Sequence, residues 1–148
     1  MKGSGLIGGF IALLFFVGTA GCGGSSAPLA SHGGPVKDYV SLIDHLRAGG
    51  ATVVPAGSVA QPFFSVPGQL ITVNGQQVQV YEYANDDSAN ADAARISPDG
   101  STVGNTSVDW VAPPHFYKKS RLIVLYVGTN SSVMHILETA LGPQFGGR

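Results

Sequence analysis

The chain is poor in cysteine and in charge, and no apolar run in it is long enough to span a bilayer. Cys22 is its single cysteine, so no disulfide within the chain can staple the fold. Charged residues make up 11% of the chain, against about a quarter of an ordinary soluble domain. Eight basic and nine acidic side chains nearly cancel; the sequence carries no broad basic field, which excludes nucleic acid as a partner. The longest apolar stretch, residues 6–20, is interrupted by Gly8 and Gly9 and is shorter than the about 20 residues of a spanning helix. There is no G-x-S-x-G, no H-E-x-x-H and no internal repeat of solenoid length.

What is present begins at the amino terminus, MKGSGLIGGFIALLFFVGTAGC. Lys2 supplies a positive start, residues 6–17 an apolar middle and residues 18–21 a small-residue cleavage site, the three parts of a secretory signal. Residues 1–21 are therefore expected to be removed. The following Cys defines the kind of signal. Thr19-Ala20-Gly21-Cys22 resembles the bacterial lipobox, usually Leu-Ala/Ser-Gly/Ala-Cys, and departs from it only at Thr19. The resemblance implies a diacylglyceryl group on the Cys22 thiol, cleavage before it and an acyl chain on the new amino terminus. No cofactor beyond these covalent lipids is expected. Gly23 stands where an Asp retains some lipoproteins at the inner membrane, so either the cell membrane or an outer membrane fits. The chain as a whole resembles small bacterial lipoproteins of unassigned activity, a likeness that carries over no catalytic or binding residue.

Residues 22–35 read as the lipidated Cys and a flexible tether. Gly, Ser, Ala and Pro cannot bury enough apolar area to offset the entropy of ordering, and His32 is read as a solvated linker residue. The remainder, 36–148, suits one domain. Val36, Tyr39, Ile43 and Leu46 recur at helical spacing, with Pro35 before them and Gly49-Gly50 after. A short strand over 51–54, closed by Pro55, is expected next. Residues 61–68 are extended and broken by prolines. Asn74-Gly75 between 70–73 and 78–83 is the strongest hairpin signal. A thin, Ala-rich helix capped by Asn85 or Asp86 follows, ending at Ser97-Pro98-Asp99-Gly100. A strand over 102–111 is expected to begin irregularly. LIVLYV, residues 122–127, is continuously apolar, as a strand covered on both faces would be. Val133, Ile136, Leu137, Ala140 and Leu141 mark a last helix, with Asn130 as cap and Gly142-Pro143 as stop. The order α-β-β-β-α-β-β-α predicts an α+β domain, a mostly antiparallel sheet of about five strands with three helices packed on it.

The metal candidates are weak. His135 and Glu138 share a helix face but point away from its apolar stripe, and Asp44-His45 are helix neighbours that diverge by about 100°. Asn85-Asp86-Asp87 with Asp92 lacks the glycine and final Glu of a calcium loop and suits a helix N-terminus. The segment singled out for binding is 110–121, WVAPPHFYKKSR. It gathers Trp110, His115, Phe116 and Tyr117 with Lys118, Lys119 and Arg121, stiffened by Pro113-Pro114. As a loop it would bind an envelope protein or a glycan by stacking, or meet anionic headgroups at the membrane. As a proline-bent hairpin, its aromatics would instead pack on the core. Phe63, Phe64, Tyr81 and Tyr83 read as core.

These features predict a lipid-anchored extracytoplasmic protein whose domain is a non-enzymatic binding or accessory module. A small-ligand sensor or carrier would differ by a cavity under the Ala-rich helix. A hydrolase would differ by His115 clustering with an acid and a serine.

Overall fold

The computed structural model describes residues 34–148. The signal segment, the lipobox with Cys22, and the tether up to residue 33, His32 included, lie outside them. Helix α1 (Tyr39–Ala48) precedes three strands, β1 (Val53–Val59), β2 (Gly68–Val73) and β3 (Gln76–Glu82). Helix α2 (Asp86–Ala93) leads to a small ribbon, β4 (Thr102–Val103) and β5 (Thr106–Ser107). The hairpin β6 (Pro114–Lys119) and β7 (Leu122–Val127), helix α3 (Ser131–Leu141) and β8 (Gly146–Gly147) complete the domain. The main sheet has six strands in the order β1-β2-β3-β7-β6-β8, every pair antiparallel. The described residues form an α+β domain of three helices on a sheet one strand wider than its sequence suggests.

Strand β7 shows why the chain folds this way. Leu122, Val124 and Tyr126 face α1 and α3, in a core with Leu42, Leu46, Val133 and Leu137. Ile123 and Leu125 face the other way, toward Ala89 of α2, Phe63, Phe64 and Phe116. A strand without polar alternation can be accommodated only where both sheet faces are covered. Each such side chain contributes about 1.5–3 kcal/mol of apolar burial. Strand β3 and the residue that follows it divide the same way: Val78 and Val80 join the α1–α3 core, Tyr81 and Tyr83 the other. The β2–β3 turn is Asn74-Gly75, both at positive φ (49° and 82°), as the asparagine–glycine pair requires. Asn85 caps α2 through Ser88 N, and Asn130 caps α3 through Ser132 N and Val133 N.

Four boundaries differ from expectation. Helix α1 begins at Tyr39 because Asp38 and Ser41 form a reciprocal capping box; Ser41 N donates to the carboxylate and Asp38 N to the hydroxyl, both at 2.9 Å. Strand β1 runs past Pro55 to Val59 because it is an edge strand, where a missing N–H is tolerated, and its register shifts between Pro55 and Gly57. The strand expected over 102–111 is instead the ribbon β4–β5, turned at Gly104 (φ 60°) and Asn105, followed by an irregular segment. Strand β8 is made of glycines, which carry no side-chain pattern to read.

Gly147 is required there. It has φ 109°, and a Cβ at this position would collide with the Pro114 carbonyl. Gly147→Ala is expected to peel β8 from β6 at a cost of about 1–3 kcal/mol. The Phe145 and Arg148 amides, which donate to Phe116 O and Pro114 O, would then exchange fast with solvent deuterium. Unchanged protection of both would show that β8 tolerates a side chain.

Candidate functional site

The segment 110–121 is not a loop joining two strands, because residues 114–119 are themselves strand β6. His115, Phe116 and Tyr117 are buried, so the core-packing alternative holds for these three. Phe116 faces Trp110 and Phe145, with ring centroids 5.8 and 6.3 Å away. Burial pushes the Tyr117 phenol up to about 12, with Glu138 and Tyr126 acting in the same direction. The cations lie at the far end of β6 from Trp110, about 20 Å along a six-residue strand. Arg121 pairs with Glu82 at 2.5 Å and with Asp38 at 3.7 Å. Lys118 Nζ donates to Ser120 O at 3.0 Å, and Lys119 is exposed beside the turn. A surface combining the aromatics and the cations therefore does not exist. The β6–β7 turn also has Glu82 and Asp38 against it, which weakens it as a headgroup site.

His115 is held at both nitrogens, by Gln144 Oε1 at 2.7 Å and Gly128 O at 2.9 Å, and its ring stacks on Tyr126. The Gly128 carbonyl can only accept, so Nε2 carries a proton, and Nδ1 is engaged by the Gln144 side-chain amide. With both nitrogens engaged, the ring has no lone pair free for a substrate proton. Glu138 and His115 line one cleft with Tyr117, Met134, Gln144 and Arg148, and no serine is among its lining residues. His135 and Glu138 are exposed on α3, and no group of three potential ligands could hold a metal among the described residues.

Asp92, read from sequence as part of an acidic helix start, is buried at 5% exposure. Its carboxylate accepts from Ser65 N (2.9 Å), the Ser65 hydroxyl (2.8 Å), the Tyr83 hydroxyl (2.9 Å) and Arg95 (3.1 Å). It is thus a bracket between α2, β3 and the segment before β2. Phe63 and Phe64 pack edge-on at 5.0 Å, and Phe64 lies against Tyr81 at 4.4 Å. Ala89 of α2 is fully buried among these rings.

Trp110 is the one aromatic of the segment that is not buried, and Val111 lies exposed beside it. The indole Nε1–H donates to Gly100 O at 2.7 Å, and the ring packs edge-on against Phe63 and Phe116. Val111 beside it is 98% exposed. Trp110 walls two clefts. One, of about 500 Å³, includes Asp99, Ser101, Asp109 and Arg148. Hydrogen bonds from the Ser101 N–H and from the Ser97 and Ser101 hydroxyls hold the Asp99 carboxyl well below its usual range. The other, of about 350 Å³, includes Gln61, Gln77, Gln79 and Asp109. The three glutamines were not read as site residues; the only signal for two of them is their place on a strand face that becomes aromatic at Tyr81. A third groove, of about 340 Å³, runs between α1 and α3 past His45, Leu46, His135 and Ile136. No described helix is long and apolar enough to cross a membrane. Compared with protein-family models, curated proteins and solved structures, the chain matches none.

Proposed function

We propose that the chain is a lipid-anchored protein on the outer side of a bacterial membrane. In this reading its domain is a non-enzymatic binding or accessory module that engages another envelope component at Trp110 and Val111. One observation carries the assignment of the surface: residues 34–36, where the described chain begins, and the Trp110 clefts lie on opposite sides of the sheet. Gly34 O meets His45 Nδ1 of α1 at 3.1 Å, and Val36 is buried in the α1–α3 core. Trp110 packs on the other core. A chain arriving from Cys22 thus meets the domain on its α1–α3 side and leaves Trp110 and Val111 on the side away from the attachment. The indole is already locked by its neighbours, so presenting it costs little entropy on binding.

The test is photocrosslinking in cells from the lipidated protein, with a benzophenone side chain at position 111 or at position 40. Val40 is also exposed, at 66%, but lies on α1. A discrete adduct from position 111, absent from position 40, is expected. Equal or absent adducts at the two positions would remove the Trp110 surface as the binding face.

A further inference from the structure

We propose that the cleft on the β3 side of Trp110 is a subsite for a neutral sugar chain. This rests on the reading that Trp110 and Val111 form the binding face. The sheet face beneath the cleft is divided. Near the end of β3 it carries Tyr81 and Tyr83, both buried under α2 and the phenylalanines. Near the start of β3 the same face carries Gln77 and Gln79, with Thr72 of β2 and Val54 of β1 alongside Gln77 in the ladder. Gln77 and Val54 are exposed, and Gln79 and Thr72 are half-buried. The apolar half of the face is covered, and the amide half is left open beside the tryptophan.

The amides are oriented. Gln61 Nε2 donates to Gln79 Oε1 at 3.2 Å, and the Tyr81 hydroxyl donates to the same oxygen at 2.5 Å. Two donors on one carbonyl fix the Gln79 amide plane and leave its two N–H groups, together with the Gln61 carbonyl, for a ligand. A carboxamide offers a donor and an acceptor side by side, which is what adjacent sugar hydroxyls need. Trp110, Val108, Val111 and Val127 supply the apolar part of the lining, against which the C–H face of a pyranose packs.

Charge selects within the carbohydrates. Asp109 is the one charged residue lining this cleft, and no cation lines it. A phosphate- or uronate-bearing polymer would meet a carboxylate without a counter-charge. A purely apolar ligand would strip water from the amides and return no hydrogen bond. A neutral, hydroxyl-rich chain satisfies both constraints. The volume, about 350 Å³, lies at the lower end of the roughly 300–1,000 Å³ of ligand sites and suits a short stretch of such a chain.

Trp110 is the only tryptophan in the protein, so tryptophan emission reports on this one ring, and Gln77→Ala, which alters only the β3-side cleft, assigns the change to it. The mature protein, held in a sugar-free detergent, is titrated with neutral hexasaccharides of glucose, galactose, mannose and N-acetylglucosamine, and with an oligogalacturonate. A saturable change in emission with at least one neutral series, and none with the oligogalacturonate, is expected. Gln77→Ala and Val111→Ser, both at exposed positions, are expected to weaken that binding about tenfold or more, the factor that corresponds to about 1.4 kcal/mol, with the melting temperature unchanged. Silence from every neutral series, equal response to the anionic one, or full binding by both variants would overturn the assignment. An in-cell adduct at position 111 without any sugar response would leave the binding face standing and remove the sugar.

Discussion

Replacing Asp92 with alanine is expected to destabilise the domain by about 1.5–3 kcal/mol, the range for losing hydrogen bonds to a charged group, because the charge left behind, Arg95, is itself partly exposed. The deleted carboxylate is the common acceptor for Ser65 N, the Ser65 hydroxyl, the Tyr83 hydroxyl and Arg95. Tyr83 is itself buried at 2% exposure, so its hydroxyl would be left without an acceptor, at a further local cost of about 1–3 kcal/mol already contained in that range. Tyr83→Phe removes the same bond together with its donor and is expected to cost only about 1 kcal/mol. The double variant is therefore expected to lose less than the two single losses added together. Denaturant unfolding midpoints at constant slope measure all three. A loss below about 1 kcal/mol for Asp92→Ala would show that the bracket is dispensable.

The same group predicts how stability responds to acid. Burial alone would raise the Asp92 pKa, but hydrogen bonds from the Ser65 N–H, the Ser65 hydroxyl, Tyr83 and Arg95 outweigh it and hold the carboxyl below its ordinary 3.8. A carboxyl whose folded pKa is lowered adds stability that is fully present above its unfolded value. That stability is lost as pH falls through the lower, folded value. The gap in stability between the native protein and Asp92→Asn is therefore expected to stay constant above about pH 5 and to narrow below the ordinary value of 3.8.

Much of the scaffold is legible because its residues obey one rule at a time. Asn74-Gly75 needs only the positive φ of its turn, and residues 122–127 need only two covered faces. The Val133–Leu137–Leu141 stripe needs only helical spacing. Asp92 was hidden because its neighbours Asp86 and Asp87 sit on the exposed first turn of the same helix; an acidic residue one turn later reads alike until Tyr83 and Ser65 arrive from distant positions. The segment 110–121 misled for a related reason. Aromatics and cations adjacent in sequence were separated once β6 became a strand, which carried the cations to the β6–β7 turn and left Trp110 at the other end. What assembled around Trp110 instead came from Gln61, Gln77 and Gln79, and no periodicity links those to it.

Cys22→Ala is expected to move the protein from the membrane to the soluble fraction and to abolish its labelling by a fatty-acid probe. Each buried methylene contributes about 0.8 kcal/mol, so one acyl chain gives marginal attachment and two or three give a stable one. In the proposed reading, removing the thiol removes the diacylglyceryl group, and nothing in the described domain replaces it. The cations of the β6–β7 turn are not a spare anchor, because Arg121 is paired with Glu82 and Asp38 and each unpaired basic residue near a bilayer contributes only about 1 kcal/mol. The described contacts of residues 34–36 with α1 and the core lie beyond the substitution, so the unfolding transition of the domain is expected to be unchanged. Persistent fatty-acid labelling of the variant would refute the lipobox. Loss of label with full retention at the membrane would show that the folded domain holds the envelope by itself, and the photocrosslinker at position 111 would then identify what it holds.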